Sequence, residues 1–103
     1  MALTSNQIST LGTTIFTAGG DTAITTIIFC NTDIVNTAQI NVWAVPNGNV
    51  VSTGTQILKN LSLPATETFV LDAEKFILGA GDAMFAQSTI PNVVCATVSS
   101  VTI

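Results

Sequence analysis

The sequence predicts an all-β protein, a single antiparallel β-sandwich of jelly-roll or immunoglobulin-like type with about eight short strands and an extended N-terminal arm. Three observations carry that prediction. The 103 residues include 17 Thr, 11 Ile and 10 Val, and β-branched side chains fit pleated sheets better than helices. No stretch of ten residues repeats its apolar positions at helical spacing. Short runs bounded by Gly, Pro, Asn and Asp recur instead, the pattern of a sandwich or barrel.

Residues 1–12 are uncharged and read as the arm, with Leu3, Ile8 and Leu11 as apolar anchors. An arm of this kind can add a strand to a neighbour's sheet edge. Residues 13–103 form the sandwich domain. A strand over 13–17 ends at Gly19-Gly20-Asp21, and residues 22–30 form the strongest strand. Residues 38–45 alternate Ile40, Val42 and Ala44 against Gln39, Asn41 and Trp43, as a strand with two unlike faces must. Asn47-Gly48 suits the positive φ of a type I′ hairpin. Strands over 56–63 and 66–71 flank Pro64-Ala65, and Asp72-Ala73-Glu74-Lys75 is the one helix-like turn, with Asp72 as its cap. Residues 76–78 lead into the turn Gly79-Ala80-Gly81-Asp82, and strands over 83–88 and 93–103 complete the chain. The runs around Ile24 to Phe29 and Val93 to Ala96 are apolar on both faces. An antiparallel sheet facing water alternates more cleanly, so a second surface is expected to cover one sheet.

Charge is scarce: two lysines, six carboxylates, no arginine and no histidine, for a net charge of -4. Two lysines neutralise too few phosphates for nucleic-acid binding, and an acidic chain is repelled by anionic lipid. No apolar run approaches the roughly 18 residues of a membrane span, and the uncharged N-terminal stretch has no basic signal-peptide region. No nucleic acid and no membrane are therefore expected as partners. A monomer of 10.6 kDa exposes roughly 5,500 Å². Eight charged residues over that area leave a surface as bare as an interface core, which predicts a homo-oligomer.

Candidate sites are few. Cys30, Trp43 and Cys95 stand in the order of an immunoglobulin pin, but only eight residues follow Cys95 and Val93 occupies the tyrosine-corner position. Two buried free thiols packed as small hydrophobes are expected instead. Asp21, Asp33, Glu67, Asp72, Glu74 and Asp82 lack calcium-loop spacing. Nucleophiles lack a histidine base, and Glu67 with Asp82 lacks the aromatic cleft of a glycosidase. Asn60-Leu61-Ser62 fits the glycosylation pattern by chance, and the pairs Thr53/Thr55 and Thr66/Thr68 do not recur at the fixed period of an ice-binding face. No catalytic residue, cofactor or metal ligand is expected.

Five segments carry a resemblance: TTIIFCNT at 25–32, LKNLSLPATETF at 58–69, EKFIL at 74–78, GD at 81–82 and ATVS at 96–99. On these the chain resembles the small virion structural proteins of tailed bacteriophages, particularly those of marine cyanobacteria. In that family a glycine usually precedes the glutamate of the second segment, where Thr66 stands here. The resemblance implies a non-enzymatic β-sandwich component of the particle, a capsid decoration or cement protein. It would be a homotrimer made in the host cytoplasm, seated on the capsid surface and bridging capsomers of the major capsid protein, with the arm as its clamp. The alternatives are a neck, tail or baseplate component, or a host-attachment or carbohydrate-binding module using Trp43 as its stacking platform.

Overall fold

The computed structural model describes residues 2–71 and 76–102. Asp72-Ala73-Glu74-Lys75, expected as a helix-like turn, lie outside the described residues. Nine strands follow in order: β1 (Ala2–Gln7), β2 (Thr13–Thr17), β3 (Thr22–Asn31), β4 (Ala38–Val45), β5 (Gln56–Leu63), β6 (Thr68–Leu71), β7 (Phe76–Leu78), β8 (Ala83–Ser88) and β9 (Val94–Thr102). A 3-10 turn, Thr53–Thr55, precedes β5. Ser52 caps it by accepting from the Gly54 amide, while the Thr55 hydroxyl accepts from the Ser52 amide.

Two antiparallel sheets pack face to face. One runs β1-β9-β3-β6, with β7 also paired to β3, and the other runs β2-β8-β4-β5. The pairs β1/β9, β2/β8, β3/β6-β7 and β4/β5 are those of one long antiparallel ribbon folded at its middle. Wrapping that ribbon brings β3 against β9 and β4 against β8. This is the jelly roll, not the immunoglobulin arrangement.

The core lies between the sheets. Ile24, Ile27, Phe29, Leu78, Val94, Ala96 and Val98 enter it from the five-stranded sheet. Ile15, Ile40, Val42, Leu63, Met84 and Ala86 meet them from the other. Alternation fails once on β3, where the register against β9 shifts between Ile24 and Thr26. The bulge lets Ile24 and Ile27 both point inward three residues apart, and Thr25 turns its hydroxyl to the Ser99 carbonyl at 3.1 Å.

The segment expected as a free arm belongs to the domain. β1 pairs with β9 from Ala2↔Ser100 to Gln7↔Cys95, and the ladder continues as the Ile8 amide donates to the Val94 carbonyl at 2.8 Å. Ile8 is fully buried, so it anchors the chain's own core rather than a neighbour. The reason is topological: β9 is a central strand, and without β1 its edge would be unpaired. Gly12, at φ +105, turns the chain into β2, and a Cβ there would fall on the Phe85 ring.

One turn differs in detail from expectation, and another shows why a glycine would suit it. Asn47 keeps a negative φ and only Gly48 is positive, which excludes type I′. The connection from β4 to β5 is long, so no tight hairpin has to match the strand twist. The turn 64–67 places Thr66 at φ 65, where its amide donates to the Asp33 carbonyl at 2.9 Å. A β-branched residue there is strained by about 1–2 kcal/mol. Thr66→Gly is therefore expected to stabilise the domain by roughly 0.5–1 kcal/mol once glycine's own entropy is subtracted. Thermal unfolding checks this as a rise of a few degrees in midpoint.

Candidate functional site

Opposite residues in a ladder share a face, so the register defines the outer surface of the five-stranded sheet row by row. One row is Ser5-Thr97-Ile28-Val70, the next Gln7-Cys95-Cys30-Thr68. Leu3 pairs with Ser99, which pairs in turn with Thr26, and Val101 and Ile77 flank Ala23. Four large apolar side chains stand out into solvent: Leu3 at 72% exposure, Ile77 at 63%, Val70 at 46% and Ile28 at 37%. No strand residue described in this sheet is charged. The apolar surplus of the two-sided strands is therefore concentrated on one outward face.

The other sheet presents a different surface. Trp43 on β4 meets Phe85 on β8 edge-to-face, ring centroids 5.8 Å apart. Beside them Asn41 donates to Gln87 at 2.8 Å and accepts from Gln56 and from the Asn60 amide. These amides largely satisfy one another, which leaves few groups to read a ligand.

The four residues singled out from the sequence do not converge. Leu3 lies on the apolar face, Trp43 on the opposite sheet, Ile8 in the core and Leu11, 94% exposed, in the turn between β1 and β2. Ile28, Val70 and Ile77 were missed because their facing depends on register and on the β3 bulge. The two-sided apolar runs were the available signal.

The cysteines are also not where expected. Cys30 and Cys95 are free, half-buried and directly opposite each other on β3 and β9. They look outward rather than into the core because the alternation inward is taken by Phe29, Asn31, Val94 and Ala96. A polar pin joins the sheets instead. Buried Asn31 donates from Nδ2 to the Leu63 carbonyl at 2.9 Å and the Asn36 carbonyl at 3.0 Å, and its Oδ1 accepts from the Asp33 amide.

Among the described residues every charge but that of Lys59 on β5 lies in a loop. Asp82 accepts from the Asn47 amide at 2.7 Å and the Gly79 amide at 2.9 Å, and these bonds, Asn47 first, hold its carboxyl below the usual range. The Val35 amide, then the Asn36 side chain, act likewise on Asp33. A depressed folded pKa means that the unfolded chain binds more protons below about pH 4, so stability is full above that pH and falls under it. Urea midpoints measured between about pH 5 and pH 2.5 are expected to drop, with a shallower drop in Asp82→Asn.

A depression of about 210 Å³ beside Asp82 is lined by Ala44, Val45, Pro46, Ile77 and Leu78. It is smaller than the roughly 300–1,000 Å³ of small-molecule sites and holds a single ionisable group. Among the described residues no three Cys, Asp or Glu side chains gather as a metal site, and no helix is long and apolar enough to cross a membrane.

Fold and surface together define a class: a jelly-roll sandwich in which, among the described residues, one sheet presents an outer face without charged strand residues. No protein-family model, curated protein or solved structure matches the chain.

Proposed function

We propose that the protein is a non-enzymatic structural subunit that associates with its own copies through the outer face of the five-stranded sheet. The observation that carries the reading is that Leu3, Ile28, Val70 and Ile77 are all exposed on one sheet face whose described strand residues are uncharged. Each chain bears a net charge of -4, which opposes association wherever carboxylates meet. Among the described residues no strand of this sheet carries a charge, so two copies can meet on it without that repulsion. Obligate interfaces share its composition, apolar and charge-depleted.

The sequence resemblance supplies the setting: a capsid decoration protein of a tailed phage, seated as a trimer on the major capsid protein. Jelly rolls are a recurrent architecture of viral shells and of lectins, which is compatible with this setting but does not select it. With β1 folded into the domain, a flexible clamp is no longer part of the proposal. The exposed loop tips Leu11, Ile34 and Val35 replace it as the contact to the shell.

Sedimentation of the purified chain tests self-association. The native chain is expected to oligomerise at micromolar concentration, and Ile28→Glu or Ile77→Glu to weaken it at least about 100-fold through like-charge apposition. Both side chains point outward, so circular dichroism should stay native. A monomeric native chain would overturn the reading. Many copies spread over a purified particle would place it on the shell; a few at one vertex would indicate a neck or tail component. Trp43 with its amide neighbours favours a second reading, glycan binding, which retention on host polysaccharide would support.

A further inference from the structure

We propose that Cys30 and Cys95 are a reversible redox site, closing an intrachain disulfide across β3 and β9. This goes beyond the self-association reading; because both thiols lie on the face which that reading covers with a second copy, it is tested on the Ile77→Glu chain, whose face stays open.

The placement rests on register. Cys30 and Cys95 are direct partners in the antiparallel ladder, so their side chains leave the same face. The Thr32 amide donates to the Val93 carbonyl at 2.8 Å, which makes 32/93 a hydrogen-bonded pair. Stepping two residues along each strand makes 30/95 the next such pair. Residues in such pairs have Cα atoms about 5.5 Å apart, inside the range of roughly 4.4–6.8 Å that a disulfide spans. Opposite Cβ atoms lie about 4.5–5.5 Å apart, whereas a relaxed disulfide wants about 3.8 Å. Closure therefore draws the strands together, and a strained, accessible disulfide is one that reducing agents reopen.

In the unassociated chain the thiols are accessible. Both thiols are half-buried rather than enclosed, and their row neighbours are the uncharged Gln7 and Thr68. No carboxylate stands in the row to repel an anionic reagent.

The oxidant is a low-molecular-weight disulfide such as oxidised glutathione. One cysteine thiolate attacks a glutathione sulfur, forms a mixed disulfide and expels one glutathione thiolate. The second cysteine then attacks the protein-side sulfur, forms the Cys30–Cys95 bond and expels the other glutathione thiolate. The protein loses two electrons and two protons, and the oxidant is reduced to two thiols.

The folded Ile77→Glu chain, incubated with oxidised glutathione at about pH 8, is then denatured and alkylated without reduction. The expected product is a monomer lighter by about 2 Da that takes up no alkylating agent. Dithiothreitol should restore two alkylatable thiols. Cys95→Ser, with one thiol left, should stop at the glutathione adduct. Persistence of two alkylatable thiols in the Ile77→Glu chain, or its conversion only to glutathione adducts or disulfide-linked dimers, would overturn the assignment. Oxidation of Ile77→Glu but not of the native chain would show a redox site covered by self-association, so the two readings fail separately.

Discussion

A chain lacking residues 1–11 is expected to lose its folded structure, not merely its grip on a partner. The deletion removes all of β1 and with it a ladder of six register pairs along β9. It also removes Ile8, which is wholly buried. Emptying a buried isoleucine to alanine costs about 2–5 kcal/mol, and a domain of this size is stable by only about 5–15 kcal/mol in total. Loss of the flanking ladder adds to that cost and exposes the edge of β9 to other chains. Two point variants separate the causes. Ile8→Ala should lower stability by about 3 kcal/mol, while Leu3→Ala on the same strand should change it by less than about 0.5 kcal/mol. Urea unfolding reads the first, and sedimentation reads the effect of the second on self-association. A truncated chain with native circular dichroism and an unchanged urea midpoint would show that β1 is dispensable.

Asn31→Ala is the second large effect. Three backbone groups depend on this one side chain: the carbonyls of Leu63 and Asn36 and the amide of Asp33. Leu63 ends β5 of one sheet, while Asn31 ends β3 of the other, so the side chain ties the two layers at that end. Leaving a buried polar group unpaired costs about 1–3 kcal/mol. Two of the three groups sit partly in solvent, so the expected total is about 3 kcal/mol. Asn31→Asp should be worse, because it replaces the donor with an acceptor facing two carbonyls. Denaturant titration of the three chains orders them native, Asn31→Ala, Asn31→Asp. Equal midpoints for native and alanine chains would remove the pin from the account of the fold.

Much of the sandwich was legible because its punctuation is chemical. Strands β2, β4, β5 and β8 occupy the spans expected from the alternation of apolar residues between Gly, Pro and Asn turns. β1 was not legible as part of the domain because it turns Thr4 and Asn6 inward, so no apolar alternation marks it. Its partner lies near the other end of the described chain, and pairing over that distance leaves no local trace. The same holds for the functional face. That some outer face is apolar could be read from Ile24 to Phe29, but which residues stand together is decided by register with β6, β7 and β9. The opposition of Cys30 and Cys95 is likewise a property of register. Thr66 lies between these cases: the glycine expected by resemblance stands where the backbone takes a positive φ, though the residue itself gives no sign of it.

The position of β9 has a consequence for how the protein is made. It leaves the ribosome after the other eight strands, yet it sits in the interior of its sheet, between β1 and β3. Until it arrives, β1 has no neighbour and β3 lacks one of its two sides. The five-stranded sheet therefore cannot form progressively during synthesis; it closes in one late, non-local step. Folds dominated by such pairings close in milliseconds to seconds, long enough for the apolar β3 segment to meet another nascent chain. Solubility during synthesis is thus governed by how quickly β9 slots into place.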